Sequence, residues 1–170
     1  MRCVVLIGDS VSAADRRHIE LFKSGLGVSG GEALAAKELF FSADGGLLLV
    51  QTSGLEHMPR GGVVVFEESF SERHGVCSLT GCSAVVSSEN EAAVRLLSGA
   101  DAQTVTCGLS GKDTVTITSF TGDTAMIALQ RELVSCSGER VQPGEFPVRL
   151  RRIYDRYAIM SLAATRLLLG

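Results

Sequence analysis

Four short apolar runs constrain this chain more than any other feature. They are Val4-Val5-Leu6-Ile7, Leu47-Leu48-Leu49-Val50, Val63-Val64-Val65-Phe66 and Ser83-Ala84-Val85-Val86. A strand with one wet face alternates apolar and polar residues, whereas these runs are continuous. Continuous runs separated by long connections predict parallel strands covered on both faces. Thr104 to Cys107 reads as a fifth strand of the same kind. After it the pattern changes. Asp113 to Phe120 alternates Thr with Val, Ile and Phe, and Thr124 to Leu129 and Glu132 to Cys136 follow after short turns. This predicts an antiparallel meander with one wet face, on which Thr114, Thr116, Thr118 and Thr121 are exposed. Phe146 to Leu150 is a last strand.

The helices are read from caps and periodicity. Ser12-x-x-Asp15 resembles a capping box. Ile19, Leu21, Phe22 and Leu26 follow it as an apolar face, with Gly25 and Gly27 as the stop. Ser88 caps a second helix with Glu89 and Glu91 in its first turn. Ile153 to Leu169 closes the chain, with Tyr157, Met160, Ala164 and Leu168 on one face. Residues 28–45 are ambiguous, and Ala33 to Phe41 fits a short helix. No repeat or linker interrupts the 170 residues, so one α/β domain spanning 1–170 is expected.

Composition narrows the function. The formal net charge is −3, and the only Arg cluster is Arg149, Arg151, Arg152 and Arg156. It is too short to argue for nucleic acid and reads as a solvated helix face. No apolar run approaches the roughly 18 residues of a membrane span. Met1-Arg2 lead straight into a strand, so no signal peptide is expected. The odd set Cys3, Cys77, Cys82, Cys107 and Cys136 reads as reduced thiols in a cytoplasmic protein.

The first turn has the setting of a phosphate-binding loop and none of its chemistry. A nucleotide site would follow strand 3–8 with G-x-x-x-x-G-K and a Ser or Thr. Closely spaced backbone N–H groups, a cation and a hydroxyl for magnesium make that cradle. This chain has Gly8-Asp9-Ser10-Val11-Ser12-Ala13-Ala14-Asp15: one glycine, no lysine and two carboxylates that repel a triphosphate.

The order of the pieces resembles the central, ATP-binding domain of the Mur ligase family. These enzymes form peptide bonds on UDP-muramoyl precursors of the cell wall, and folylpolyglutamate and cyanophycin synthetases share the domain. The likeness runs over nearly the whole chain. Leu48-Leu49-Val50-Gln51-Thr52-Ser53-Gly54-Leu55 looks like the family's segment ending S-S-x-G-L. Arg60-Gly61-Gly62-Val63-Val64-Val65-Phe66 looks like its R-x-x-V-A-V-x-T-N strand. Ala84-Val85-Val86-Ser87-Ser88-Glu89-Asn90-Glu91 is similar to V-V-N-x-D-D, and Thr104-Val105-Thr106-Cys107-Gly108 to the strand ending T-Y-G. Gly144-Glu145-Phe146-Pro147-Val148 and the final helix resemble the segment G-x-H-N-x-x-N-x-x-A-A. The resemblance implies a P-loop-NTPase-like fold, a mostly parallel sheet flanked by helices with a small antiparallel meander.

The departures fall on the working residues. Gln51 stands where the family has a magnesium-binding Glu, and an amide carbonyl is a weaker ligand for a hard dication. Glu67-Glu68 replaces T-N, and Glu72-Arg73-His74 is what remains of D-H-L. The stretch carrying the family's modified lysine is missing between Gly75 and Ser83. Tyr157 replaces an Asn near the adenine site. The flanking substrate-binding and amino-acid-binding domains are absent.

The resemblance therefore implies a stand-alone degenerate module rather than an enzyme, with a vestigial pocket and no cofactor. Gly8, Asp9, Ser10, Ser12, Gln51, Thr52, Ser53, Glu67, Glu68 and His74 would line it at the strand carboxyl ends, where open α/β sheets bind ligands. Acidic side chains there favour a neutral or cationic ligand over a nucleotide. Expected partners are a protein or a small ligand, with a homo-oligomer through the surface left by the missing domain. Three alternatives stay open. An ATP-dependent amide ligase would act with partner chains, drawing a cation from Lys112 or Arg60. A GDSL-type esterase would use Gly8-Asp9-Ser10 and the D-x-x-H spacing Asp15-Arg16-Arg17-His18, against the plainer reading of Ser10 or Ser12 as a cap and His18 as a surface residue. His74, Cys77 and Cys82 have an H-x2-C-x4-C spacing, with Glu72 as a fourth zinc ligand, against a plain loop with reduced thiols.

Overall fold

The computed structural model describes residues 2–9, 12–28, 32–34, 39–44, 46–56, 58, 60–76 and 78–170. It is an α/β fold with a mixed sheet that is parallel through its centre. The central strands are β1 (Arg2–Ile7), β4 (Leu47–Thr52), β6 (Val63–Phe66), β8 (Ser83–Ser87) and β9 (Gln103–Cys107). They lie in the order β9-β8-β6-β1-β4, each parallel to its neighbours. The apolar runs supply them, and every residue of β6 and β8 is buried.

On one flank β10 (Val115–Thr121), β11 (Thr124–Leu129) and β14 (Gly144–Arg149) continue the sheet in the order β14-β11-β10. β10 pairs parallel to β9 and antiparallel to β11, which pairs antiparallel to β14. The meander is therefore an extension of the main sheet, not a sheet of its own. Its third predicted strand leaves it, because Leu133 and Val134 (β12, Leu133–Val134) pair with β13 (Arg140–Val141) as a separate ribbon. Of the four threonines expected on an exposed face, Thr118 and Thr121 are exposed, whereas Thr114 and Thr116 are half-buried. On the other flank β2 (Glu32–Leu34) and β3 (Leu39–Asp44) extend the sheet beyond β4 to ten strands. Of the helix expected over Ala33 to Phe41, the described residues 33–34 and 39–41 are antiparallel strand instead, since pairing of β3 along β4 outweighs a weak local helical pattern, and residues 35–38 lie outside the described residues. Two short strands, β5 (Gly54–Leu55) and β7 (Gly75–Val76), pair apart from the main sheet.

Three helices cover the sheet: α1 (Ala13–Leu26), α2 (Glu91–Leu97) and α3 (Arg156–Leu169). Val63 and Val65 join the core with Ile19, Phe22, Ile159 and Leu162 of α1 and α3. Val64 and Phe66 join a smaller core on the opposite face with Ala93 and Leu97 of α2. Period-two alternation of side chains divides each central strand between the two cores. α3 is buried nearly all round rather than on one stripe, because it packs on both α1 and the sheet. Ser12 caps α1 as predicted, accepting from Asp15 N at 3.0 Å. The stop is Gly27, left-handed at φ 69°, and not Gly25. Gly25 serves packing instead, since a Cβ there would collide with Leu162. Asn90, not Ser88, caps α2, with its Oδ1 accepting from Ala93 N at 3.0 Å. Among the described residues no helix is long and apolar enough to cross a membrane.

Candidate functional site

β1 leads through α1 to β4 on one side, and the chain then crosses to β6 on the other. The carboxyl ends of β1 and β6 thus flank the point where strand order reverses, the usual ligand crevice of an open α/β sheet. Here side chains fill that crevice. Glu67 follows β6 directly, its N–H donating to Ile7 O at 2.9 Å. Its carboxyl group is completely buried. Gln51 Nε2 donates to Glu67 Oε1 at 2.7 Å and to Asp15 O at 3.1 Å. His18 Nδ1 lies 3.7 Å from the same Oε1. Among the described residues Glu67 Oε2 has no hydrogen-bond partner. It sits against Gly8, where an added Cβ would come within 2.9 Å of Oε2 and 2.7 Å of Glu67 Cβ. Only glycine lets β1 pass this close to the carboxyl group.

Burial decides the charge states. It pushes the Glu67 carboxyl up to about 8, with the nearby Asp15 carboxyl adding to the rise and the Gln51 hydrogen bond opposing it. Burial alone brings the His18 imidazole down to about 3. Both groups are therefore neutral at pH 7, a close polar pair and not an ion pair. Ser161 Oγ donates to Ala158 O at 3.0 Å, so it accepts from His18 Nε2 at 2.8 Å. That assigns the Nε2–H tautomer, with the Nδ1 lone pair toward Glu67.

The described residues of the turn above are also hydrogen-bonded within the protein. Asp9 N donates to Ser69 Oγ at 2.6 Å, and Ser69 Oγ donates to Asp15 Oδ2. Ser12 N donates to Asp9 O at 2.9 Å, and Asp15 N to Ser12 Oγ at 3.0 Å. Burial raises the Asp15 carboxyl against the lowering effect of the Ser69 and Ser12 hydroxyls. Among the described residues one cation pairs with the turn: Arg73 Nη2 meets Asp9 Oδ2 at 2.9 Å. The cations anticipated from sequence do not. Arg60 packs beside Gly81, just before β6 and β8, at the opposite ends of those strands. Lys112 is exposed in the connection from β9 to β10.

Of the expected lining residues, Gly8, Asp9, Ser12, Gln51 and Glu67 converge in this network, and Ser10 lies outside the described residues. Thr52 Oγ1 instead closes a local turn on Gly54 O at 2.9 Å, and Ser53 occupies the bend between β4 and β5. Glu68 keeps contact with solvent beside a cavity of about 330 Å³ lined by Asp15, Arg17, His18, Tyr154, Asp155 and Tyr157. Partial burial, with Asp155, Asp15 and Glu89 nearby, raises its carboxyl. His74 is buried outside the network, accepting from Ser71 N at 3.0 Å and stacking on Phe70 with centroids 5.3 Å apart.

Glu67, directly after β6, is buried, whereas Glu72 stays exposed while pairing with Arg95 at 2.6 Å. One expectation is corrected here. His18 is not a surface residue but part of the helix–helix interior. Its place was readable, since Asp15, His18, Ile19 and Phe22 share one face at helical spacing. Tyr157, placed near an adenine site by resemblance, is buried with its hydroxyl donating to Phe66 O. Ser69, Ser161 and Arg73 had no motif to announce them. Cys77 lies outside the described residues, and among those described no three His, Cys, Asp or Glu are grouped to hold a metal. Cys3, Cys107 and Cys136 are thiols rather than disulfides. No protein-family model matches the chain, and no curated protein sequence matches it.

Proposed function

We propose that this chain is a non-catalytic binding or scaffold module on a degenerate Mur-ligase-like central domain, working in the cytoplasm in connection with peptidoglycan precursor metabolism. One observation carries the reading. The crevice where such a domain would cradle phosphate is occupied by the neutral Glu67–Gln51–His18 cluster, and the turn's N–H groups at Asp9, Ser12 and Asp15 already have acceptors. A triphosphate would have to displace these bonds and face Asp9 and Asp15 without a lysine. The link to cell-wall chemistry rests on resemblance of fold and segment order.

The ligase alternative draws a cation from Lys112 or Arg60, whereas among the described residues the cation paired at the turn is Arg73, and its guanidinium is engaged by Asp9. The esterase alternative needs an imidazole ready to take a proton near pH 7. His18 is held by Ser161, and burial keeps its affinity for a proton far too low.

Thermal-shift titration with ATP, ADP and a UDP-muramoyl peptide, with and without magnesium, tests the proposal. A native-state ligand at about 100 times its Kd adds about 2.7 kcal/mol of stability. The expected outcome is no nucleotide-dependent shift. A magnesium-dependent shift with ATP overturns the non-catalytic reading and restores the ligase.

A further inference from the structure

We infer that the entry to α3 carries a binding site for a small anionic amphiphile, an apolar body bearing one carboxylate or phosphate. This goes beyond the proposed function and stands whether or not that reading holds. The site is a cavity of about 460 Å³ between the β10–β11 turn, the segment 150–155 and the first turn of α3. That volume is in the range of small-ligand pockets, roughly 300 to 1,000 Å³. Leu150 N donates to Asp123 O at 2.7 Å, which pins the segment to the turn and builds the wall.

The floor is apolar. Ile159 is buried at the bottom, and Phe120 and Tyr154 flank it. Phe120 is 49% exposed and Ile153 96% exposed, both large apolar side chains left in water at the mouth. Arg151, Arg152 and Arg156 line the same cavity. Among the described residues none of the three enters a salt bridge, and Arg152 only overlies the Tyr154 ring at 5.2 Å. Asp123 is the one carboxylate in the lining, and Asp155 beside it is committed to capping, accepting from Tyr157 N at 2.7 Å. Three guanidiniums against the carboxylates of Asp123 and Asp155 leave a net positive rim, in a chain whose formal net charge is −3. A ligand matching this arrangement places its apolar body on Phe120, Tyr154 and Ile159 and its anion on the arginine side, away from Asp123. A guanidinium fork suits carboxylate and phosphate oxygens alike.

The test is two-dimensional amide NMR of the full chain titrated with 4-phenylbutyrate, with its neutral amide and with inorganic phosphate. The expected result is saturable shifts confined to residues 120–123 and 150–159 with phenylbutyrate. The amide and phosphate should each bind about tenfold more weakly, since each lacks one half of the recognition. Arg152→Gln combined with Arg156→Gln should erase the preference for acid over amide while leaving amide binding intact. Four outcomes overturn the proposal. These are no saturable shift, shifts elsewhere, equal binding of acid and amide, and phosphate binding as well as phenylbutyrate. Sedimentation of the protein with phosphatidylglycerol vesicles, but not phosphatidylcholine vesicles, without a phenylbutyrate response also overturns it, in favour of a lipid surface.

Discussion

The strand-end crevice and the α3 entry adjoin each other across Ile153 and Tyr154, which line cavities on both sides, yet they are built in opposite ways. In the crevice, Glu67 and His18 are buried, hydrogen-bonded to the neutral side chains of Gln51 and Ser161, and neutralised by desolvation. At the α3 entry, charged groups stand in water beside apolar ones and, among the described residues, enter no salt bridge. A buried polar cluster gives up its charge to remain folded, whereas an exposed one keeps its charge and can offer it to something else. Architecture alone would point to the crevice as the working site. The distribution of unsatisfied chemistry points to its neighbour.

The sharpest way to break this contrast is to put charge back into the crevice. Gln51→Glu restores the residue that the ligase resemblance expects and sets a second carboxyl group against Glu67. Both cannot ionise there, and an uncompensated buried charge costs about 3–5 kcal/mol. Chemical denaturation should show a loss of that order at pH 8 and a smaller one at pH 5, where shared protonation relieves the repulsion. Equal stability of the variant and parent at pH 8 would mean that water or an ion enters the crevice.

Next in size is Gly8→Ala. The new Cβ would lie 2.6 Å from Ser69 Oγ and 2.7 Å from Glu67 Cβ. The serine hydroxyl can rotate, but the Cβ of a buried Glu cannot. Overpacking of this kind costs about 1–3 kcal/mol. The thermal midpoint should fall accordingly, while shifts at residues 150–159 in NMR spectra stay as they are.

The two titrations in the crevice make a third test. Glu67 has its folded value raised from 4.5 to about 8, so it contributes stability that is complete below 4.5 and lost as pH rises to 8. His18 has its folded value lowered from 6.5 to about 3, so its contribution is complete above 6.5 and lost as pH falls to 3. Between 4.5 and 6.5 the two slopes oppose and cancel. From these groups stability should be level in that window and fall on either side. The loss from pH 6.5 to 8 amounts to about 2 kcal/mol at the 1.36 kcal/mol per unit of a single proton. Glu67→Gln should abolish the alkaline fall and leave the acid one. A variant that retains the alkaline fall would assign it to another group.

The contrast was only half legible in sequence. The apolar runs 4–7, 47–50, 63–66 and 83–86 announced the parallel centre because double burial leaves no room for polar alternation. The separate ribbon at Leu133–Val134 was not readable, since its partner, Arg140–Val141, carries no strand signal of its own. In the site, Gly8, Gln51 and Glu67 could be named as neighbours from strand order alone. Their neutral state could not, because desolvation depends on three-dimensional enclosure by α1 and α3. Arg151, Arg152 and Arg156 were visible as a cluster but read as a solvated face, since no sequence pattern shows that Phe120, some thirty residues earlier, closes the other side of the same cavity.

The smallest expected effect sharpens the comparison most, because its sign is unusual. Arg156 is the first residue of α3, where the helix presents its positive end, and no acidic residue lies in that first turn. Arg151 and Arg152 add to the same field. Such an arrangement opposes the helix dipole and relies on the Asp155 cap for compensation. Most surface substitutions are neutral or destabilising, but Arg156→Glu should stabilise the protein by about 0.3–1 kcal/mol at low salt, with the gain shrinking as salt screens it. The same change should weaken phenylbutyrate binding. Stability gained where affinity is lost is the mark of a surface kept for binding rather than for folding. If the variant gains no stability at low salt, the arginines are already compensated within the chain, and the positive rim has no charge to spare for a ligand.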